Sequence, residues 1–262
     1  MNARRTLAAV VAHPDDDTFT AAGLVAKRAD DPGFRFVLIH ATSGEAGQIA
    51  DPDLATPETL ASVREEEDRR SWVTLGREPD RHEWLRYPDH GLEFEPFDRL
   101  VEAVAAILRE ERPDVVVTFG PDGITGHPDH ITIGYVTDEA FARLNTEGVP
   151  GFRRLLHAAL PETVIESWNQ TLVDSGREPF DPTQLYQPRG VPDAAIGFEI
   201  DTSDVAPLVV AALREHRTQA GDIDEMTDEE QLRLASKAWF VTASPEPSPS
   251  AGVLADVFDN LA

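Results

Sequence analysis

Two short segments carry residues that could do chemistry together: Ala-His-Pro-Asp-Asp at positions 12–16 and His-Pro-Asp-His at 127–130. A catalytic zinc takes three protein ligands and keeps one position for water. His13, Asp16 and His130 supply an N, O, N set for such a site. Asp15 and His127 are then left beside the metal, free to move protons. Zinc makes water acidic near neutral pH, so a neighbouring carboxylate can take the proton while an imidazole polarises or protonates the substrate. Amide hydrolysis requires this division of labour: a nucleophile, a stabilised oxyanion and a proton for the leaving amine.

Neither segment is specific alone, since Pro-Asp is an ordinary turn pair and Asp an ordinary N-cap. Their weight comes from the elements that must deliver them. Residues 7–12 form an apolar run without polar alternation, as a parallel strand covered on both faces requires. Further strands are expected at Phe34–His40, 83–87 and Val115–Phe119, with helices over 18–29, from Thr56-Pro57-Glu58 to Gly76, and over Phe97–Glu111. Alternation at this spacing implies βαβ units and a mainly parallel sheet. Ligands bind such sheets outside the carboxyl ends of the strands, where strand order reverses. The first segment follows the first strand and the second follows the fourth, so the two would meet in one crevice. Pro14 and Pro128 bias His13 and His127 toward extended backbone.

The second half is less regular. Residues 155–160 and 195–200 read as strands, and 204–219 and 228–240 as closing helices. The long connection 161–192, with its Pro and Gly residues, reads as a substrate-side loop. Residues 244–250, rich in Pro and Ser, read as a flexible stretch. The expected fold is α/β: a Rossmann-like, mainly parallel sheet with helices on both faces, plus a smaller C-terminal α+β half. It is expected as one domain over 1–262, with the metal site in 1–150 and a substrate-shaping part in 151–262.

Composition narrows the function classes. Forty-eight acidic residues against 23 basic ones give a formal charge of −25 over 262 residues, which repels nucleic acid. The absence of cysteine excludes disulfides and thiolate zinc sites. After Arg4-Arg5 the apolar stretch is about six residues, short of the roughly 7–15 of a signal-peptide core. No run approaches the roughly 18 residues of a membrane span, and the cytoplasm is the expected compartment. His40, His82 and His157 lack comparable neighbours in sequence and read as structural. Gly44 and Gly47 lack the Lys-Ser/Thr of a P-loop.

In consecutive order, the chain carries Ala-His-Pro-Asp-Asp at 12–16, Thr-Ser-Gly-Glu-Ala-Gly at 42–47 and Arg-Glu-Glu-Glu at 64–67 before Leu75-Gly76. Pro-Asp-His-Gly-Leu at 88–92, Gly-His-Pro-Asp-His at 126–130 and Glu-His-Arg-Thr-Gln at 215–219 follow. With these six elements it resembles the PIG-L/LmbE-like zinc-dependent de-N-acetylases. The resemblance implies one Zn2+ per chain on His13, Asp16 and His130, a general base at Asp15, and a transition-state-stabilising or acid role for His127. Fe2+ can use the same ligands. It also implies that Arg64 and Asp89 contact sugar hydroxyls. Two positions depart from the family pattern: Asp17 replaces a common Glu, and Thr125 stands where some members carry Tyr. The expected activity is zinc-dependent hydrolysis of a linear amide, removing an N-acetyl or related acyl group from a glucosamine-containing substrate. Alternatives are an amidase for a larger glucosaminyl-inositol thiol conjugate, a non-catalytic sugar-binding member of the fold, and a phosphoesterase with a second metal near Asp17 and Asp129. The expected partner is a small amino sugar, without nucleic acid or membrane; a homo-oligomer is compatible with this reading.

Overall fold

The apolar runs pair as one seven-stranded sheet in the computed structural model, which describes residues 4–221, 225–246 and 252–261. Its strands are β1 (Arg5–Val11), β2 (Phe34–His40), β3 (Arg81–Trp84), β4 (Val115–Phe119), β5 (Arg154–Ala159), β6 (Phe198–Asp201) and β7 (Lys237–Ser244). They lie in the order β3-β2-β1-β4-β5-β7-β6. β1 is central because Leu7 through Val11 carry nothing polar, and all five are wholly buried. It pairs in parallel with β2 on one side (Val11 opposite His40) and with β4 on the other (Ala9 opposite Val117). The direction of chain progression therefore reverses between β1 and β4, and the segments leaving these two strands flank one crevice. β5 continues the parallel set, while β7 runs antiparallel to both β5 and β6. The result is a mainly parallel, Rossmann-like core with a C-terminal α+β extension.

Helices cover the sheet for readable reasons. Phe97–Glu111 buries Leu100, Val101, Val104, Ala105, Ile107 and Leu108, a 3.6-residue stripe. The helix after Thr56-Pro57-Glu58 starts at Leu60, because Thr56–Thr59 closes as a separate turn, and it ends at Gly76 with φ 86°. Its inward face is polar: Arg64, Glu67, Asp68 and Ser71 are buried beside Leu60, Trp72 and Leu75. A helix face of this kind is held by specific hydrogen bonds rather than by apolar area alone.

Several expectations change. The helix expected over 18–29 is two short helices, Asp16–Thr20 and Ala22–Ala26, broken at Ala21. There Gly23 packs so closely on Thr202 that a Cβ would lie 2.7 Å from its Cγ2. The third strand is Arg81–Trp84, although the amides of Leu85 and Tyr87 still reach the carbonyls of His40 and Ala41. The helix expected over 204–219 is helical only at Ala206–Leu213, with a 3-10 turn at Arg217–Gln219. Over 228–240, the Thr227–Glu230 capping box starts a helix that stops at Ala235, and β7 follows. Pairing of Phe240 with Ala158 on one side and Phe198 on the other overrides the local helical reading. The 161–192 connection holds a 13-residue helix, Glu162–Asp174, and its far end returns to its start through Glu162 N–H to Val191 O and Val191 N–H to Leu160 O. Of the stretch expected to be flexible, residues 247–250 lie outside the described residues. Among the described residues, no helix is long and apolar enough to cross a membrane.

Candidate active site

β-pairing continues one residue past β1, with Thr42 N–H bonded to Ala12 O. The chain then turns sharply. Asp16 Oδ2 accepts the His13 amide at 2.8 Å, and Asp17 Oδ1 accepts the Asp15 amide at 3.2 Å. Between them Asp15 adopts φ 115°, a conformation that L side chains adopt at a cost. The turn directs Asp16 toward His13 and Asp17 inward, where Trp72 Nε1–H donates to it at 2.7 Å and His40 Nε2 lies 3.1 Å away. Past β4, Ile124 is also held at positive φ (62°), and the helix Pro128–Thr146 begins. His127 is its N-cap: Nδ1 accepts the Asp129 amide at 3.1 Å. His130 lies three residues on, on the same helix face.

These two turns bring His13, Asp16 and His130 together, all buried. His130 Nε2 lies 3.2 Å from His13 Nδ1 and 3.2 Å from Asp16 Oδ1, and His13 Nδ1 lies 3.4 Å from Asp16 Oδ2. Tetrahedral zinc with bonds near 2.0–2.1 Å separates its ligands by about 3.3 Å, so the three groups fit such an ion without rearrangement. Their tautomers agree. Nδ1 of His130 faces the Gly123 carbonyl at 3.0 Å, an acceptor only, so it carries the proton and leaves the Nε2 lone pair free. Nε2 of His13 faces Asp89 Oδ1 at 3.0 Å and Asp129 Oδ2 at 3.4 Å, which leaves its Nδ1 lone pair toward the cluster. Burial alone would lower the pKa of His13, but hydrogen bonds to Asp129, Asp16 and Asp89 outweigh it and raise the pKa well above the ordinary value. A site in which carboxylates outweigh desolvation in this way favours a cation.

Asp15 and His127 flank the cluster. Burial pushes the Asp15 carboxyl up to about 7, against the opposing pull of the Arg64 guanidinium. His127 is lowered to about 4, first by burial and then by its neighbours His13 and His130. With Nδ1 occupied as an acceptor, neutral His127 carries its proton on Nε2.

Arg64 and Asp89, the two residues expected to contact sugar hydroxyls, both lie at this cluster and both have protein partners. Arg64 donates to Gly44 O (2.9 Å), Pro14 O (2.6 Å) and Asp15 Oδ2 (3.1 Å), with its side chain 5% exposed. Gly44, at φ 67°, makes room for it, since a Cβ there would lie 2.2 Å from Nη1. Asp89 accepts the amides of Ala46 and His90 and faces His13, with its side chain 1% exposed. Each thus also reaches a residue of the first segment, Arg64 to Asp15 and Asp89 to His13.

Two further residues at the site carry roles that the sequence reading did not assign. Asp129 accepts the amides of His90 and Leu92 besides facing His13. Tyr186 comes from the 161–192 segment; its amide donates to Thr125 O at 3.0 Å and its ring lies 5.2 Å from that of His127. The residue that stands in place of the family's tyrosine therefore anchors a different tyrosine through its backbone. Nothing in local pattern announces this, because 61 positions separate Thr125 from Tyr186. Asp15, His90, Ile124 and Tyr186, all non-glycine with positive φ, gather around this one crevice, and such strain concentrates at functional sites.

Comparisons with known proteins agree with this geometry. The family model described as "PIG-L: GlcNAc-PI de-N-acetylase" matches residues 8–141. The chain is 35% identical over 250 residues to a 1D-myo-inositol 2-acetamido-2-deoxy-alpha-D-glucopyranoside deacetylase of Thermobifida fusca, covering 84% of each chain. It is 34% identical to a protein of the same description from Tsukamurella paurometabola, covering 82% of this chain and 83% of the relative. Among solved structures, N,N'-diacetylchitobiose deacetylase from Pyrococcus horikoshii superposes with a TM-score of 0.63 at 23% identity, over 92% of this chain and 84% of that one. A 4-carboxy-2-hydroxymuconate hydratase from Pseudomonas putida reaches 0.64 at 15% identity, over 95% of this chain and 100% of that one. The fold thus hosts more than one chemistry, and function must be argued from the site.

Proposed function

From the premise that the chain belongs to the PIG-L family of deacetylases, we propose that it removes the acetyl group from an N-acetylated glucosamine linked to inositol, using a divalent metal. The observation that carries this reading is the 3.2–3.4 Å spacing of donors from His13, Asp16 and His130, with Asp15 and His127 at its flanks. Zinc, or iron(II), held by His13 Nδ1, Asp16 and His130 Nε2 would supply Lewis acidity at neutral pH.

The chain's own groups supply the rest. Asp15 takes a proton from the attacking water, and Arg64 keeps its carboxylate oriented from one side. The Nε2–H of His127 donates to the oxyanion that develops on the acetyl carbonyl. The proton held on Asp15 then passes to the departing amine, which restores the carboxylate. Asp89 and Asp129 keep His13 in the tautomer that presents Nδ1. A neutral glycoside also meets no repulsion from a surface carrying −25. The substrate is inferred from the relatives, whose names specify an inositol 2-acetamido-2-deoxyglucopyranoside.

The test is acetate release from that glycoside, from free N-acetylglucosamine and from a bulkier N-acyl glucosaminyl-inositol, each with and without chelator. Chelator-sensitive release, fastest on the inositol-linked acetyl substrate, is expected. Preference for the bulky acyl group would move the assignment to an amidase for larger conjugates, and turnover unaffected by full metal removal would overturn the mechanism.

A further inference from the structure

The histidines at positions 40 and 82 read as structural from sequence, yet the fold assembles them with Asp68 into a second cluster outside the crevice. His40 leaves the end of β2, His82 sits beside it on β3, and Asp68 comes from the helix Leu60–Leu75. His40 Nδ1 and His82 Nε2 are 2.9 Å apart. His82 Nε2 lies 3.6 Å from Asp68 Oδ2, and each of the three residues brings a ligand atom within 4.8 Å of the others. Outer-sphere support is present as well. Asp17 Oδ1 faces His40 Nε2 at 3.1 Å, so the proton resides there, with Asp68 Oδ1 3.7 Å from the same atom, and the Nδ1 lone pair is left toward His82. Trp84 stacks on the His40 ring at 4.2 Å and fixes its plane.

One feature of this cluster is incomplete as protein alone. Asp68 is wholly buried, and neither of its carboxylate oxygens has a hydrogen-bond partner among the described residues. A buried carboxylate left in this state has lost its hydration without replacement, and the neighbouring Asp17 carboxylate adds like-charge repulsion. The adjacent hydrogen bond between His40 and His82 does not relieve it. A cation held by all three would.

We propose that His40, Asp68 and His82 form a second divalent-metal site, taking a late first-row ion such as Zn2+. Two imidazoles and a carboxylate match that class, whereas Mg2+ and Ca2+ prefer all-oxygen shells. The ion has a way in: His82 and Trp84 line a surface groove of about 480 Å3, lined also by Glu65 and Glu66, which pair with Arg86 and Arg69, and by Glu78. The cluster shares no residue with His13, Asp16 and His130, and the second ion is assigned to the fold rather than to the hydrolytic step. It acts on the fold, tying the edge strand β3 to β2 and to the helix that carries Arg64. Through Asp17 it also braces the turn that positions Asp15 and Asp16.

The test is metal stoichiometry of the full-length chain, stripped with chelator and reloaded with Zn2+ or Co2+ in excess Mg2+ to block surface carboxylates. Wild type is expected to bind two equivalents. His82→Gln, whose amide can still donate to His40 Nδ1, and Asp68→Asn should each bind one. His130→Ala should lose the other equivalent and keep this one, so failure of the hydrolytic reading and failure of this site are separable. Co2+ adds a visible absorption band for each occupied site, and the second equivalent should raise Tm in wild type but not in His82→Gln. Circular dichroism confirms that each variant is folded. A single equivalent in wild type, or two in a folded His82→Gln, would overturn the site.

Discussion

Single residues divide into those that touch the reaction and those that hold them. Asp15→Asn preserves volume but removes the proposed base; metal content should stay at the wild-type value while kcat falls about 10²–10⁴-fold, the usual size of a general-base contribution. Near-normal turnover with intact metal would reassign the base. Tyr186 packs against His127 from a distant segment, so Tyr186→Phe should lower kcat, by up to about 10²-fold if its hydroxyl shares the oxyanion, and leave KM nearly unchanged. A change confined to KM would make the tyrosine a binding wall instead. The contrast between these two residues shows what was legible. His13, Asp15 and Asp16 lie within three positions of one another, and His127 and His130 share a helix face, so spacing alone placed each group in sequence. Tyr186, and the use of Arg64 and Asp89 to hold Asp15 and His13, depend on contacts across 49 to 76 positions that periodicity cannot encode.

At the level of elements, the strands and helices whose fate is set by their own pattern emerged with the expected bounds: Phe34–His40, Phe97–Glu111 and Val115–Phe119. The misread ones, 18–29, 204–219 and 237–240, are those where a neighbour decides, through Gly23 against Thr202 or β7 against β5. The loop after β2 belongs to the first kind of geometry and the second kind of cause. Gly44 is left-handed, and its missing Cβ is the space in which the Arg64 guanidinium lies. Gly44→Ala therefore strains the loop and expels Arg64 from Asp15 at once. Stability should fall by roughly 1–3 kcal/mol, the usual range for a forced positive φ. Catalysis should fall further than in Arg64→Lys, which keeps a charge near Asp15. Urea denaturation and acetate release on the two variants measure this; equal activity in Gly44→Ala and wild type would separate the loop from the base.

Across the whole molecule, polar contacts, most of them buried, fasten the C-terminal part onto the core that carries the site. Thr218 donates its amide and hydroxyl to Glu67 at 2.9 and 2.6 Å, Gln219 reaches Gln48 O, and His216 lies 3.1 Å from Thr18 Oγ1. His216 is 3% exposed, and burial lowers its pKa from the ordinary imidazole value of 6.5 to about 4. The sign follows from linkage. Above pH 6.5 neither the folded nor the unfolded chain protonates this imidazole, and its contribution to stability is complete. Between 6.5 and about 4 the unfolded chain takes up a proton that the folded chain refuses, so stability is lost as pH falls; below about 4 both are protonated and the loss levels off. The full loss is of the order of 3 kcal/mol. His216→Gln keeps an amide that can bond Thr18 and has nothing to titrate. Acid also discharges carboxylates and relaxes the repulsion of a −25 chain, but those effects are common to both proteins and cancel in their difference. With metal removed from both, the stability difference between wild type and His216→Gln, measured by urea unfolding from pH 7.5 to 4, should shift in the variant's favour through that window. Parallel curves would mean that His216 titrates alike in the folded and unfolded chains, and a shift in the wild type's favour as pH falls would mean that the folded chain holds the imidazole protonated, so that the C-terminal part is fastened by charge rather than by a neutral hydrogen bond.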